Sequence, residues 1–278
     1  MRTDLLFDPF DARWPELLVA ALAAEEAGFD GIWTWDHLAG GVHGQDRVLE
    51  CWTVLSALAG VLRRTSIGPL VLNVANRHPG VVALMAATLQ EVSGGRLLLG
   101  LGAGGGADTP YGAEQRALGR EVPSDPVRRR RVAEAVDVMR RLWTGRADRF
   151  EGRHYRLGRA GGFLRPDPPP PIVIGAFGPK MAELAGRVGD GINTQAAHPR
   201  LGEMIDRARR ARTATGRDPA DFVVTVFAGL DDRWLHAASP DRARLRDLGV
   251  DRVILLAHPP FDAGRIRAAG RLLDRAGG

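Results

Sequence analysis

An eight-stranded β/α barrel is the architecture that this 278-residue sequence predicts. Three observations carry that reading. Short apolar runs alternate with longer helical patterns along the whole chain, the signature of a parallel sheet. Eight such strand–helix units follow one another. One closed barrel usually takes about 250 residues, so the length suits a single β/α-barrel domain over residues 1–278.

The units run in order. Leu5–Phe7 reads as the first strand, followed by a helix from Pro15 to Ala27 that stops at Gly28. Gly31–Trp35 is the second strand and Glu50–Leu62 its helix; Ser66–Val74 and Pro79–Val92 form the third unit. Arg96–Gly100 is a continuous leucine run, as a strand buried on both faces should be. Pro126–Trp143 is the long fourth helix. Pro171–Gly175 with Pro179–Val188, and Gly191–Thr194 with Leu201–Thr215, are the fifth and sixth units. Phe222–Ala228 with Arg242–Leu248, and Val250–Ala257 with Ala263–Ala276, complete the eight. Two connections are long for a bare barrel: Ala103–Asp125 after the fourth strand, and Thr144–Pro170 before the fifth. Long connections of this kind serve as lids or binding loops. A Rossmann reading fails at Gly100–Gly106, because a dinucleotide turn opens a helix at once and none is predicted there.

Composition excludes several functions. Cys51 is the sole cysteine, so no intrachain disulfide or cysteine-rich zinc site can form; its apolar helical setting marks a buried structural thiol. No apolar run reaches the roughly 20 residues of a membrane helix, and the first residues show no secretory signal, so the cytoplasm is the expected compartment. The net charge of +5 is almost all arginine, with Lys180 the only lysine. The Arg128–Arg131 cluster has no interleaved aromatics and no reader motif, so no nucleic-acid partner is expected. The expected partner is a small-molecule substrate. No H-E-x-x-H or comparable spacing predicts a metal, and no Ser-centred nucleophile elbow occurs.

Barrel enzymes place their chemistry at the C-terminal ends of the strands. Asp36 and His37 follow the second strand there, Asn73 and then His78 the third, and His258 the eighth. Histidine titrates near neutral pH, which suits proton transfer, and His37 is the candidate acid/base with Asp36 to orient or charge it. His78-Pro79 also reads as a plain helix start. Ala103, Gly104, Gly105 and Gly106 offer backbone that a flat ligand can approach. Gly175, Ala176, Phe177, Gly178, Pro179 and Lys180 lead into a helix whose free N–H groups suit a phosphate, and the lone lysine in its first turn is favourable only with an anion present.

These stretches resemble the luciferase-like monooxygenase superfamily. The resemblance rests on Gly28–His37, His78-Pro79, Ser93–Gly104, Leu142–Gly145, Phe150–Tyr155, Ile174–Lys180 and Gly189–Gly191, in the family's order. Beyond Asn193 the match is looser and the chain looks shortened. The resemblance implies a barrel whose cofactor ring stands against the third strand, with a non-proline cis peptide at Leu70–Val71 behind it. It implies a cofactor phosphate at Gly178 and its neighbours, and places His37 at the reactive face. The cofactor implied is a deazaflavin (coenzyme F-420), to which the Trp35-Asp36-His37 stretch points, or FMN. The corresponding activities are hydride transfer to or from a small organic substrate, a reduced-FMN monooxygenase, or a flavin-binding protein without turnover. A homodimer is implied as well. Gly105 stands where sugar-phosphate dehydrogenases of the family carry a glutamate acid, and no lysine is left for a substrate phosphate, so a sugar phosphate is not the expected substrate.

Overall fold

The computed structural model describes residues 1–146, 148–159 and 161–273. Its elements are β1 (Arg2–Phe7), α1 (Trp14–Ala27), β2 (Gly31–Thr34), α2 (Cys51–Val61), β3 (Ser66–Pro69), β4 (Leu72–Asn73), α3 (Pro79–Val92), β5 (Leu99–Gly102), α4 (Pro110–Ala117) and α5 (Asp125–Trp143). They continue with β6 (Phe150–Glu151), β7 (Arg156–Leu157), β8 (Ile172–Gly175), α6 (Pro179–Val188), β9 (Gly191–Gln195), α7 (Leu201–Thr213), β10 (Val223–Gly229), α8 (Pro240–Asp247), β11 (Arg252–Ala257) and α9 (Ala263–Gly270). The main sheet is parallel in the order β3-β2-β1-β11-β10-β9-β8-β5-β4. β3 and β4 are two halves of one strand, and a parallel bridge from Ile67 to Leu97 joins β3 to the lead-in of β5. That bridge closes the sheet into the eight-stranded barrel expected.

Local chemistry sets the element ends. Pro15 in the first turn starts α1, and Gly28, at φ 95°, ends it in a left-handed cap that only glycine adopts cheaply. Glu50 caps α2 by accepting from the N–H groups of Trp52 and Thr53. Inside the barrel, Leu6, Trp33, Leu70 and Ile254 form a buried plug with Trp35, Val71, Leu98, Phe227 and Leu256 packed on it. The larger cluster lies between sheet and helices. Cys51 is fully buried with its thiol 3.7 Å from the Thr34 carbonyl oxygen, and burial, then Asp36 and Glu50, push its pKa up, so the thiol is inert as expected.

The structure departs from the expected elements at five places. The third strand is broken into β3 and β4 at the Leu70–Val71 bond, which is cis as the resemblance implied. The fourth strand lies at Leu99–Gly102 rather than Arg96–Gly100: the lead-in makes only an isolated bridge to Ile67, and continuous pairing with β8 begins at Leu99. The stretch Ala103–Asp125 holds a helix, α4, started by a Thr109 hydroxyl that accepts from Gly112 N–H and by Pro110 at its first position. The stretch 144–170 holds the hairpin β6–β7, anchored by Glu134, whose carboxylate accepts from the N–H groups of Arg153, His154 and Tyr155. The last helix ends at Gly270; the expected continuation to Ala276 runs into residues 274–278, outside those described.

At the opposite pole from the strand ends that matter for chemistry, a buried ion pair staples the barrel. Arg252 reaches both oxygens of Asp4 at 2.9 and 2.8 Å, and the Trp33 indole N–H donates to the same carboxylate at 2.8 Å. Asp4 and Trp33 are fully buried and Arg252 is 3% exposed. Removing one partner of such a pair leaves an uncompensated buried charge. Asp4→Ala is therefore expected to lower the free energy of unfolding by about 3–5 kcal/mol in a urea titration; an unchanged midpoint would show that this staple does not hold the barrel.

Candidate active site at the barrel mouth

β5 and β8 pair directly, Leu99 with Ile172, Gly100 with Val173 and Leu101 with Ile174. Their C-terminal ends therefore leave the same rim side by side, carrying Ala103–Gly106 and Ala176–Lys180. Arg128 in the first turn of α5 ties this region together. It donates to the carbonyls of Gly104 and, at 3.4 Å, Ala103, and pairs with Asp125. Arg128 above all, with Arg129 and Lys180 adding, holds the Asp125 carboxyl below its ordinary range, so the charge of Lys180 is felt at the same spot. Gly104 and Gly178 share one pole of the molecule.

Asp36 is buried at the end of β2 and organises the next part of the rim. Its Oδ2 accepts from Asn73 N–H at 3.0 Å, Asn76 Nδ2 at 2.9 Å and Arg77 Nη1 at 3.0 Å, and its Oδ1 lies 2.9 Å from Arg77 Nη2. Arg77 also pairs with Glu50, the cap of α2. Burial works against the Arg77 charge, but Asp36 and Glu50 outweigh it and raise its pKa. The expectation that Asp36 orients His37 is corrected: its carboxylate is consumed by the β4 end and Arg77, and His37 takes another partner.

Between these anchors stands Val71, directly after the cis bond. A Cβ on Gly100, Gly102 or Gly175 would come within 2.9, 2.5 and 3.1 Å of the Val71 side chain. The glycines of β5 and β8 thus admit Val71 against the strand ends. Gly104, at φ 69°, needs glycine for its backbone, and a Cβ there would strike Asn73 at 2.6 Å. A Cβ on Gly105 would meet Thr109 at 2.3 Å. These two glycines make room for protein side chains first; Gly106 and Gly178 face open space, with only Arg128 at 3.8 Å from the former.

His37 meets a residue that the sequence reading did not single out. Its Nδ1 lies 3.1 Å from Oε1 of Glu114, on α4, and the same oxygen lies 2.9 Å from Nε2 of His43 and accepts from Leu38 N–H at 3.3 Å. Burial pushes the Glu114 carboxyl up, but His37, Leu38 N–H and His43 together hold it below the ordinary range. A carboxylate only accepts, so His37 donates from Nδ1 and its Nε2 is left as the nitrogen that can gain or lose a proton. Phe10 stacks on His37 with centroids 4.8 Å apart and Tyr111 with 5.5 Å, while Trp35 meets its edge at 5.9 Å. Nothing near Glu114 in sequence points to His37; only the Thr109-Pro110 helix start could have placed it on a helix folding back over the rim.

Of the other expected residues, Ala176 is buried, Phe177 is exposed and edges onto Phe227 at 6.2 Å. Gly178 is the N-cap of α6, with no side chain capping the turn, and Pro179 opens the helix with Lys180 exposed beside it. His78 proves structural: its Nδ1 accepts from Gly80 N–H at 3.1 Å and caps α3. His258 pairs with Asp8 at 2.8 Å. A separate cavity of about 540 Å³, lined by Leu230, Asp231, Leu235, Arg265 and Leu272 among others, holds none of these residues. No helix among the described residues is long and apolar enough to cross a membrane.

Comparison with known proteins shows the family to which this fold belongs. The chain is 37% identical over 218 residues to an F420-dependent glucose-6-phosphate dehydrogenase of Microbacterium testaceum, which covers 78% of the chain but 57% of that relative. It thus spans little more than half the length of that dehydrogenase. It is 32% identical over 265 residues to a 5,10-methylenetetrahydromethanopterin reductase of Archaeoglobus fulgidus, covering 94% of the chain and 72% of the reductase. An F420-dependent secondary alcohol dehydrogenase, solved in complex with an F420-acetone adduct, superposes with a TM-score of 0.82 over 98% of both chains at 23% identity. The model of the luciferase-like monooxygenase family matches residues 6–240, and the chain belongs to that family.

Proposed function

We propose that the chain is an oxidoreductase that binds the deazaflavin F420 at the barrel mouth and transfers hydride to or from a small organic substrate. The observation that carries this reading is the convergence, on one rim, of the Val71 knuckle, the open start of α6 and the carboxylate-held His37. The residues present fit the cofactor: an uncapped helix start with a cation beside it and open space where a Cβ on Gly178 would stand suits a phosphate, and Val71 offers an apolar backing to a ring. The relatives named for F420 support the deazaflavin over FMN.

In this reading Leu70, Val71 and Asn73 back the ring, with Ala103–Gly106 and Ala176 and Phe177 flanking it. Gly178, Pro179 and Lys180 hold the phosphate. When bound, the cofactor supplies the hydride chemistry. His37 Nε2 gives or takes the accompanying proton, Glu114 fixes the tautomer from the other side of the ring, and Asp36 positions the rim without touching the reacting atoms. The aromatic wall of Phe10, Trp35 and Tyr111 keeps water from the imidazole. Exposed apolar residues on three helices, Val19 on α1, Val61 on α2 and Val81, Leu84 and Val92 on α3, support the homodimer that the family resemblance implies.

Three outcomes follow. Titrating the purified chain should quench F420 fluorescence saturably at micromolar concentration, and Lys180→Ala should weaken that binding about tenfold or more. If neither F420 nor FMN binds, the reading fails, whereas tight FMN binding with oxygen consumption would select the monooxygenase. His37→Ala should lower kcat by about 10²–10⁴ while cofactor affinity stays within a few fold; unchanged turnover would remove the proton role. Light scattering should give twice the chain mass, and Val81→Arg should shift it toward one; a parent chain already monomeric at working concentration would contradict the dimer.

A further inference from the structure

We infer that His37, His43 and Glu114 form a binding site for a divalent first-row transition metal, zinc foremost. The three ligand atoms, His37 Nδ1, His43 Nε2 and Glu114 Oε1, all lie within 4.8 Å of one another. They come from three separate segments: the end of β2, the short 3₁₀ turn Gly40–His43, and α4. Two imidazoles and one carboxylate leaving further positions open make the set that zinc takes in open sites and that ferrous iron takes in facial triads.

The geometry is close to that of an occupied site. The nitrogens stand 3.1 and 2.9 Å from Oε1. Around a tetrahedral zinc with bonds of about 2.0–2.2 Å, ligand atoms sit roughly 3.3 Å apart. Each nitrogen needs to move from the shared oxygen by only a few tenths of an ångström to admit the ion, and the two imidazoles, whose nitrogens lie within 4.8 Å of each other, need to turn toward one another to complete it. Glu114 is 3% exposed and the histidines 12% and 13%, so the ligands are already desolvated and held. Phe10 packs on both imidazoles with centroids 4.8 Å away, and Leu38 N–H supports the carboxylate from behind. Neither histidine has another hydrogen-bond partner among the described residues, so each ring can move its remaining proton to the outer nitrogen when the inner one takes a metal.

Occupancy has a consequence that rests on the function proposed above; the metal site itself does not. A metal on Nδ1 of His37 confines the ring's only proton to Nε2. The imidazole then has no lone pair with which to accept another proton, and turnover that needs it as a base stops. The site would make a redox enzyme that zinc switches off.

The test uses the untagged full-length chain, stripped of metal and free of cofactor. Titration with Co²⁺ should give the visible bands of a tetrahedral ion, saturating at one per chain and displaced by Zn²⁺. His43→Ala and Glu114→Gln, checked for an unchanged circular dichroism spectrum, should each weaken binding by at least about tenfold, the lower figure for losing even an outer partner. Absence of saturable binding at micromolar metal, or equal binding by folded variants, would overturn the site. Cofactor titration of the same preparations separates the two readings. Metal binding without F420 binding would leave this site standing and the proposed activity not, and F420 binding without metal binding the reverse.

Discussion

The mouth of this barrel depends on one buried carboxylate. Asp36 receives the Asn73 N–H, the Asn76 amide and the Arg77 guanidinium, and through Arg77 it reaches Glu50 at the head of α2. It thereby ties the end of β2 to the end of the broken third strand. Val71 stands within that bracket, and the glycines of β5 and β8 are shaped to receive it. A charge this deeply buried is tolerated because every strong donor around it is aimed at it. Its contacts are architectural, and in the function proposed here the proton chemistry falls to the neighbouring His37.

That division separates two carboxylates that lie one on each side of the same histidine in the chain's logic. Asp36 is adjacent in sequence and turned away; Glu114 is 77 residues distant and in contact. The consequence is a histidine whose Nδ1 is held by a carboxylate and whose Nε2 has no hydrogen-bond partner among the described residues. Arg128 plays a similar bracing part on the far side, holding the Gly104 backbone while its partner Asp125 feels Lys180. The Gly104 side and the His37 side of the mouth are thus held by separate polar clusters, each anchored on the barrel.

Most of the fold was legible in the sequence because the barrel repeats a strong signal. Buried parallel strands such as Ile172–Gly175 and Arg252–Ala257 are nearly continuous apolar runs, and helix limits such as Pro15 and Gly28 are written in residues with one conformational use. What was not legible was decided by side chains meeting across long separations. The Arg96–Leu98 lead-in meets the barrel only through an isolated bridge to Ile67, and α4 was hidden in a stretch whose polar composition resembles a loop, although Thr109-Pro110 marked its start. Residue types and strand ends placed His37, Asn73 and Gly178 at the rim, but partnership did not follow from proximity in the chain. The contacts of Asp36 and Glu114 had to be seen in three dimensions.

The central claim is a matter of position: one rim holds ring, phosphate and proton donor together. The most direct measurement is a crystal structure of the chain soaked with F420. The account predicts the deazaflavin ring lying on Val71, with its phosphate at the N–H groups of Gly178 and Lys180 and His37 Nε2 facing its reactive side. A ring bound elsewhere, such as the cavity beside Leu230 and Arg265, or bound at the rim with His37 turned away, would contradict it.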